Sequence, residues 1–111
     1  MELPNKSKAQ VPFEKIVDYL LSETHSVGRS KAKYFRSYGF DEENAGLLAE
    51  GLLSIAQDSP IESSEQSSFG VKYILVGDIE TPNGDIIQIR TVWIIEGNLD
   101  FPRFVTAYPV E

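Results

Sequence analysis

The one histidine in the chain, His25, stands in THSVGRSK, and a run of cations follows it at once. Arg29, Lys31, Lys33 and Arg36 occupy RSKAKYFR, four cations in eight residues with no acid among them. Further on come Arg90 and Thr91 in the middle of an apolar run, then Arg103, Thr106 and Tyr108 near the end. These are the side-chain types that cleave RNA without a metal. A base takes the proton from the ribose 2′-OH, cations hold the charge that builds on phosphorus, and an acid protonates the leaving oxygen. Histidine, lysine and tyrosine can share the proton transfers, and arginine offers two parallel hydrogen bonds to a phosphate.

Each of these residues also has a plainer reading. A histidine in a turn commonly sits at the surface or caps a helix, and a basic run is often one solvated face of a helix. In that run Ala32, Tyr34, Phe35 and Tyr38 would then be packing residues. Arg90 is the most informative. An unpaired cation among isoleucine and valine is costly. Its face is therefore open to water and concave, or Arg90 pairs with an acid on the neighbouring strand, such as Asp78 or Glu80. Trp93 falls on the opposite face and reads as core. Thr106 and Tyr108 read as sharing a face with Phe104, as a core edge or a pocket wall.

Other chemistries lack their signatures. With no cysteine and one histidine, thiolate ligands, disulfides, a cysteine nucleophile and histidine-based zinc sites are excluded. No calcium loop, GxGxxG, P-loop or GxSxG is present. No metal and no cofactor is expected. The formal charge of −7 argues against a general nucleic-acid coat. That charge is unevenly spread: residues 1–57 carry seven cations and eight acids, and residues 58–111 carry three and nine. A small basic site remains compatible with this distribution.

The elements that must position these groups follow from periodicity. With 111 residues, 41% of them hydrophobic, the chain suits one globular domain, residues 1–111. In PFEKIVDYLLSE, Phe13, Ile16, Val17, Leu20 and Leu21 recur at helical spacing, with Pro12 tolerated in the first turn. RSKAKYFRSY reads as a second helix closed by Gly39. Asp41 reads as the N-cap of a third, with Ala45, Leu48, Ala49, Leu52 and Ile55 on one stripe. These make up a helical part over residues 12–57. Residues 58–68, rich in serine, read as a loop between two structural regimes. Residues 69–110 read as an antiparallel sheet of three to four strands, with TPNG as a hairpin turn and RFVTAYPV as the last strand. About three helices followed by such a sheet is an α+β fold. No apolar run is long enough to span a bilayer and no secretion signal opens the chain, so a cytoplasmic protein is expected.

The segments LPN, KIVDYLLSETHSVGRSKAKYFRSYGF, IRTVWIIEGNLDFPR and FVTAYPV together resemble an uncharacterised bacterial domain family. Its members look like the C-terminal modules of polymorphic toxins and phage-derived proteins, and also occur as small stand-alone proteins. The resemblance covers roughly residues 3–110, with the serine-rich segment as its variable part. That family is similar in layout to the barnase/EndoU/colicin/RelE-like toxin ribonucleases. The resemblance implies a metal-independent endoribonuclease acting on cellular RNA and held by a small antitoxin or immunity protein. By the same resemblance the catalytic residues are His25, Lys31, Arg90, Thr106 and Tyr108. Lys31 and Arg90 hold phosphate, Tyr108 or His25 moves protons, and Thr106 orients the substrate. Arg29, Lys33, Arg36 and Arg103 bind the rest of the RNA. The alternative is a non-catalytic interaction module, or an antitoxin or immunity-type protein with an acidic binding surface suited to a basic partner.

Overall fold

The structure is a computed structural model and describes residues 1–26 and 29–110. Three helices precede four strands. The first helix, α1, opens as an α turn, Phe13–Lys15, and widens into a π turn, Ile16–Leu20. The Leu21 amide donates to the Ile16 carbonyl five residues back, at 2.8 Å. That wider turn brings Ile16, Leu20 and Leu21 inward together, all fully buried. It also rotates Phe13 off the buried stripe, so this residue, expected in the core, is 59% exposed.

Helix α2, Arg29–Ser37, buries Ala32 and Phe35. Its end follows the expected glycine cap in full. Gly39 adopts φ 100°, its amide donates to Arg36 O, and the Phe40 amide reaches Phe35 O. These are the paired bonds of a Schellman motif, and Phe35 packs edge-on against Phe40 as that motif favours. Asp41 caps the next turn as expected: its carboxylate accepts from the Glu43 and Asn44 amides, and Asn44 Oδ1 accepts from the Asp41 amide. Helix α3, Ala45–Asp58, then buries Ala45, Leu48, Leu52, Ile55 and Ala56. A Cβ on Gly51 would stand 2.9 Å from Ile79 Cγ2, so the glycine lets α3 lie close on the sheet.

Strands β1 (Ile61–Ser67), β2 (Gly70–Glu80), β3 (Ile86–Glu96) and β4 (Arg103–Pro109) form one antiparallel sheet in chain order. The fold is therefore α+β, as the local patterns imply. The segment read as a serine-rich loop is in fact largely strand β1. IESSEQS shows no apolar alternation because β1 is an edge strand, exposed from Glu62 onward. Its pairing with β2 decides its conformation, overriding a sequence that favours turns. The β2–β3 hairpin closes at Thr81, whose amide and hydroxyl both donate to Asp85 O, with Gly84 at φ 87°.

Alternation on β3 sorts the two faces of the sheet. Ile87, Ile89, Thr91 and Trp93 are buried, and one apolar cluster joins them to Ile16, Leu20, Phe35, Leu48 and Leu52 of the helices. Inside it Trp93 and Phe104 pack edge to face, ring centroids 5.5 Å apart. Thr91, fully buried, accepts from the Trp93 indole N–H at 2.8 Å and donates to Leu75 O at 2.9 Å. Thr91→Val keeps the shape and strands that N–H, so urea denaturation should show a loss of about 1–3 kcal/mol. Among the described residues no helix is long and apolar enough to cross a membrane.

Candidate active site

On the second face of the sheet Lys72, Asp78 and Glu80 of β2 and Ile86 and Gln88 of β3 are exposed. Arg90 and Val92, half-buried, alternate with the buried Ile89, Thr91 and Trp93 and so point to this face, and Ile94, itself buried, follows on the same side. Across on β4, Tyr108 stands opposite Arg90, Thr106 opposite Val92, and Arg103 opposite Ile94. Across on β2, Val76, Ile74 and Lys72 face the same three positions. Lys72, Arg90 and Arg103, the only cations of residues 58–111, thus share one face. Thr106 and Tyr108 share it too. They were expected beside Phe104, but Phe104 lies opposite Trp93 in the core. A bulge is the cause: the register shifts at Val92/Trp93, Val105 is the extra residue, and the strict alternation of β4 breaks there.

Thr106 links this face to the helices. Its hydroxyl shares a 3.0 Å hydrogen bond with the Tyr19 hydroxyl, 87 residues away in the chain. Tyr19 lies within the π turn of α1. The His25 ring stands edge-on to the Tyr19 ring, 5.1 Å between centroids. The ammonium groups of Lys15 and Lys31 approach the same ring at 5.2 and 5.8 Å from its centre. Cations at this range of an aromatic face are held by its quadrupole. His25, Lys31 and Thr106 are therefore gathered around one tyrosine at the β4 edge. Tyr108 lies two residues beyond Thr106 on the same side of the strand, about 7 Å along it. Arg90 stands directly across from Tyr108. His25, Lys31 and Thr106 thus meet at Tyr19, and Tyr108 and Arg90 follow them by register along β4 and β3, a band of the five candidates.

Arg90 does have an acidic neighbour, but neither Asp78 nor Glu80. Its Nε donates to Glu62 Oε1 at 3.2 Å, reaching across β2 to β1. The β1 register shift between Ile61 and Ser63 frees Glu62 from regular pairing. With side chains 32% and 46% exposed, the pair is a surface one. Glu62 takes one edge of the guanidinium, and among the described residues nothing takes its terminal nitrogens.

Two of the four substrate-binding candidates are committed to the protein itself. Arg36 donates to Leu21 O through Nε and Nη2 at 3.0 and 2.6 Å, tying α2 to the end of α1. It also bonds Glu42 at 2.6 Å and lies 3.4 Å from Glu23. The bond from Arg36 holds Glu42 below the ordinary carboxylate range, and Glu42 in turn raises the Arg36 guanidinium. Arg103 is bound by Glu96 at 2.8 and 3.0 Å. Arg29 and Lys33 are exposed, and among the described residues no carboxylate pairs with either, or with Lys31. Among the described residues no three acidic or histidine side chains cluster as a metal would need.

Tyr19, Lys15 and Glu62 escape a reading of the chain alone. Tyr19 sits in an apolar helical run, and only the π turn turns it toward β4. Tyr19→Phe keeps the ring that Lys15, Lys31 and His25 contact and removes the bond to Thr106. The expected cost is about 0.5–1.5 kcal/mol in chemical denaturation, with the fold retained by circular dichroism.

A family model described as "Domain of unknown function (DUF6883)" matches residues 2–111. No curated protein sequence matches the chain significantly. Among solved structures the chain is similar to one from the contact-dependent growth inhibition toxin–immunity protein complex of Klebsiella pneumoniae 342. The TM-score is 0.73 at 19% identity, over 96% of this chain and 97% of that one.

Proposed function

Because the chain belongs to the DUF6883 domain family, we propose that this family fold serves here as a metal-independent endoribonuclease of toxin type, restrained by a cognate antitoxin or immunity protein. The observation that carries the reading is the band His25–Lys31–Tyr19–Thr106–Tyr108–Arg90 across the β4 edge. The similar Klebsiella chain comes from a toxin–immunity complex, and this supports the biological setting.

RNA laid along the second face of the sheet meets apolar floor residues, Ile74, Val76 and Val92, and the cations of the band. Arg90, steadied at Nε by Glu62, presents its terminal nitrogens to the scissile phosphate. Lys31 supplies a second positive charge from the helical side. His25, against the Tyr19 ring that bonds Thr106, and Tyr108, two residues beyond Thr106, are the proton-transfer groups. One takes the 2′-OH proton as O2′ bonds to phosphorus, and the other returns a proton to the departing 5′ oxygen. The products are a 2′,3′-cyclic phosphate and a free 5′-hydroxyl. Thr106, held by Tyr19, orients the ribose.

The test is incubation of purified protein with total tRNA and mixed RNA in EDTA. Discrete fragments ending in cyclic phosphate support the reading, and intact RNA at high protein concentration sinks it. A second reading, an immunity-type protein, is favoured by the net charge of −7, which suits a basic partner. Expression in a bacterial host separates the two. The toxin reading expects growth arrest, whereas an immunity protein leaves growth unchanged.

A further inference from the structure

Helix α2 has two cationic sides with different surroundings. Lys31 is half-buried against Tyr19 and belongs to the band already described. Arg29 and Lys33, two residues to either side of it, project from the far side of the helix, since each residue advances the helix by about 100°. Four apart, they stand one above the other on one face. They line a groove with Ser30, Ser37, Glu23 and Arg36. The one acid there, Glu23, lies 3.4 Å from Arg36, which also pairs with Glu42, and the three cations of the lining outnumber it. The groove therefore holds two exposed cations that no carboxylate pairs among the described residues, and the Ser30 hydroxyl, in a protein whose charge is otherwise negative.

We propose that this groove is a second, non-catalytic phosphate site that grips the backbone of single-stranded RNA beside the cleaved bond. Its two cations stand one helical turn apart, so they address successive phosphates of a flexible strand rather than one anion. Ser30 adds a hydroxyl donor suited to phosphate oxygens, while the Ser37 hydroxyl already donates to Tyr34 O at 2.6 Å. The groove and the band lie on opposite sides of α2, roughly 10 Å apart across the helix, so one strand can cross α2 and touch both. The negative charge elsewhere repels RNA from other surfaces and leaves this approach favoured. The inference rests on the ribonuclease reading for its ligand, and its test is independent of cleavage.

That test is fluorescence anisotropy with a 2′-O-methyl RNA ten-mer, which cannot be cut, titrated from 20 to about 200 mM salt. The comparison is between the wild-type protein and Arg29→Ala/Lys33→Ala. Both side chains are exposed, so circular dichroism should show an unchanged fold. Each phosphate contact on a single strand contributes about 0.7 to the log–log salt slope, so the double variant should lose about 1.4. An unaltered slope, or no RNA binding by the wild type, overturns the groove. So does preferential capture of an acidic peptide that the same two substitutions abolish, which would make the groove a protein-docking site. RNA bound through the groove with no cleavage of natural RNA would remove the catalytic reading and leave the groove standing. Cleavage with an unaltered slope would do the reverse.

Discussion

On the endoribonuclease reading, Arg90→Ala should lower the RNA cleavage rate by about 100- to 1,000-fold and leave the fold intact. The magnitude is that of removing one preorganised donor aimed at charge that develops in the transition state. Loss should fall on kcat more than on KM, because the guanidinium meets its strongest partner only when phosphorus is pentacoordinate. The structural cost is small. The Glu62 pair it breaks is a surface pair, 32% and 46% exposed, and such pairs contribute about 0–1 kcal/mol. Arg90→Lys should recover little, since a point ammonium cannot bridge Glu62 and a phosphate in one plane. The measurement is single-turnover cleavage of a labelled RNA in EDTA, beside a urea melt of each variant. A variant that folds normally and cuts at the wild-type rate would remove Arg90 from the site.

Trp93→Ala should cost about 3–5 kcal/mol, a large part of the roughly 5–15 kcal/mol that holds a domain of this size. Trp93 is fully buried where the sheet meets the helices, packed on Phe104 and hydrogen-bonded to Thr91. Removing the indole opens a cavity and also leaves Thr91 without one partner in the interior. Because Trp93 is the only tryptophan, far-ultraviolet circular dichroism in urea is the measurement. A shift of the midpoint worth under 1 kcal/mol would mean that the core collapses around the gap.

Much of the architecture was legible in the chain. Capping chemistry is local, so Gly39 and Asp41 declare their roles within a few residues of sequence. Burial on β3 follows a period of two, so Trp93 and Arg90 separate onto opposite faces without any knowledge of what covers them. Strand β1 was hidden for the converse reason. An edge strand exposed on both faces carries no periodicity, and its conformation comes from a hydrogen-bonded neighbour. The faces of Phe104, Thr106 and Tyr108 were hidden by one inserted residue, Val105. A bulge leaves no mark in residue type, yet it reverses everything on one side of it.

The candidate site divides along the same line. By itself the sequence determined which side chains are available for chemistry, where the cations concentrate, and the α+β class, because these depend on residue type and short-range spacing. Only the tertiary structure decided which of those groups meet. It brought Tyr19 to Thr106 across 87 residues, set His25 and Lys31 against that tyrosine, and gave Arg90 to Glu62 rather than to Asp78 or Glu80. It also withdrew Arg36 and Arg103 into ion pairs while leaving Arg29 and Lys33 exposed. The physical reason is that these contacts depend on a π turn and two bulges. Each shifts a side chain's direction by a fraction of a turn or by one face, and each is stabilised by packing and pairing partners far away in the chain.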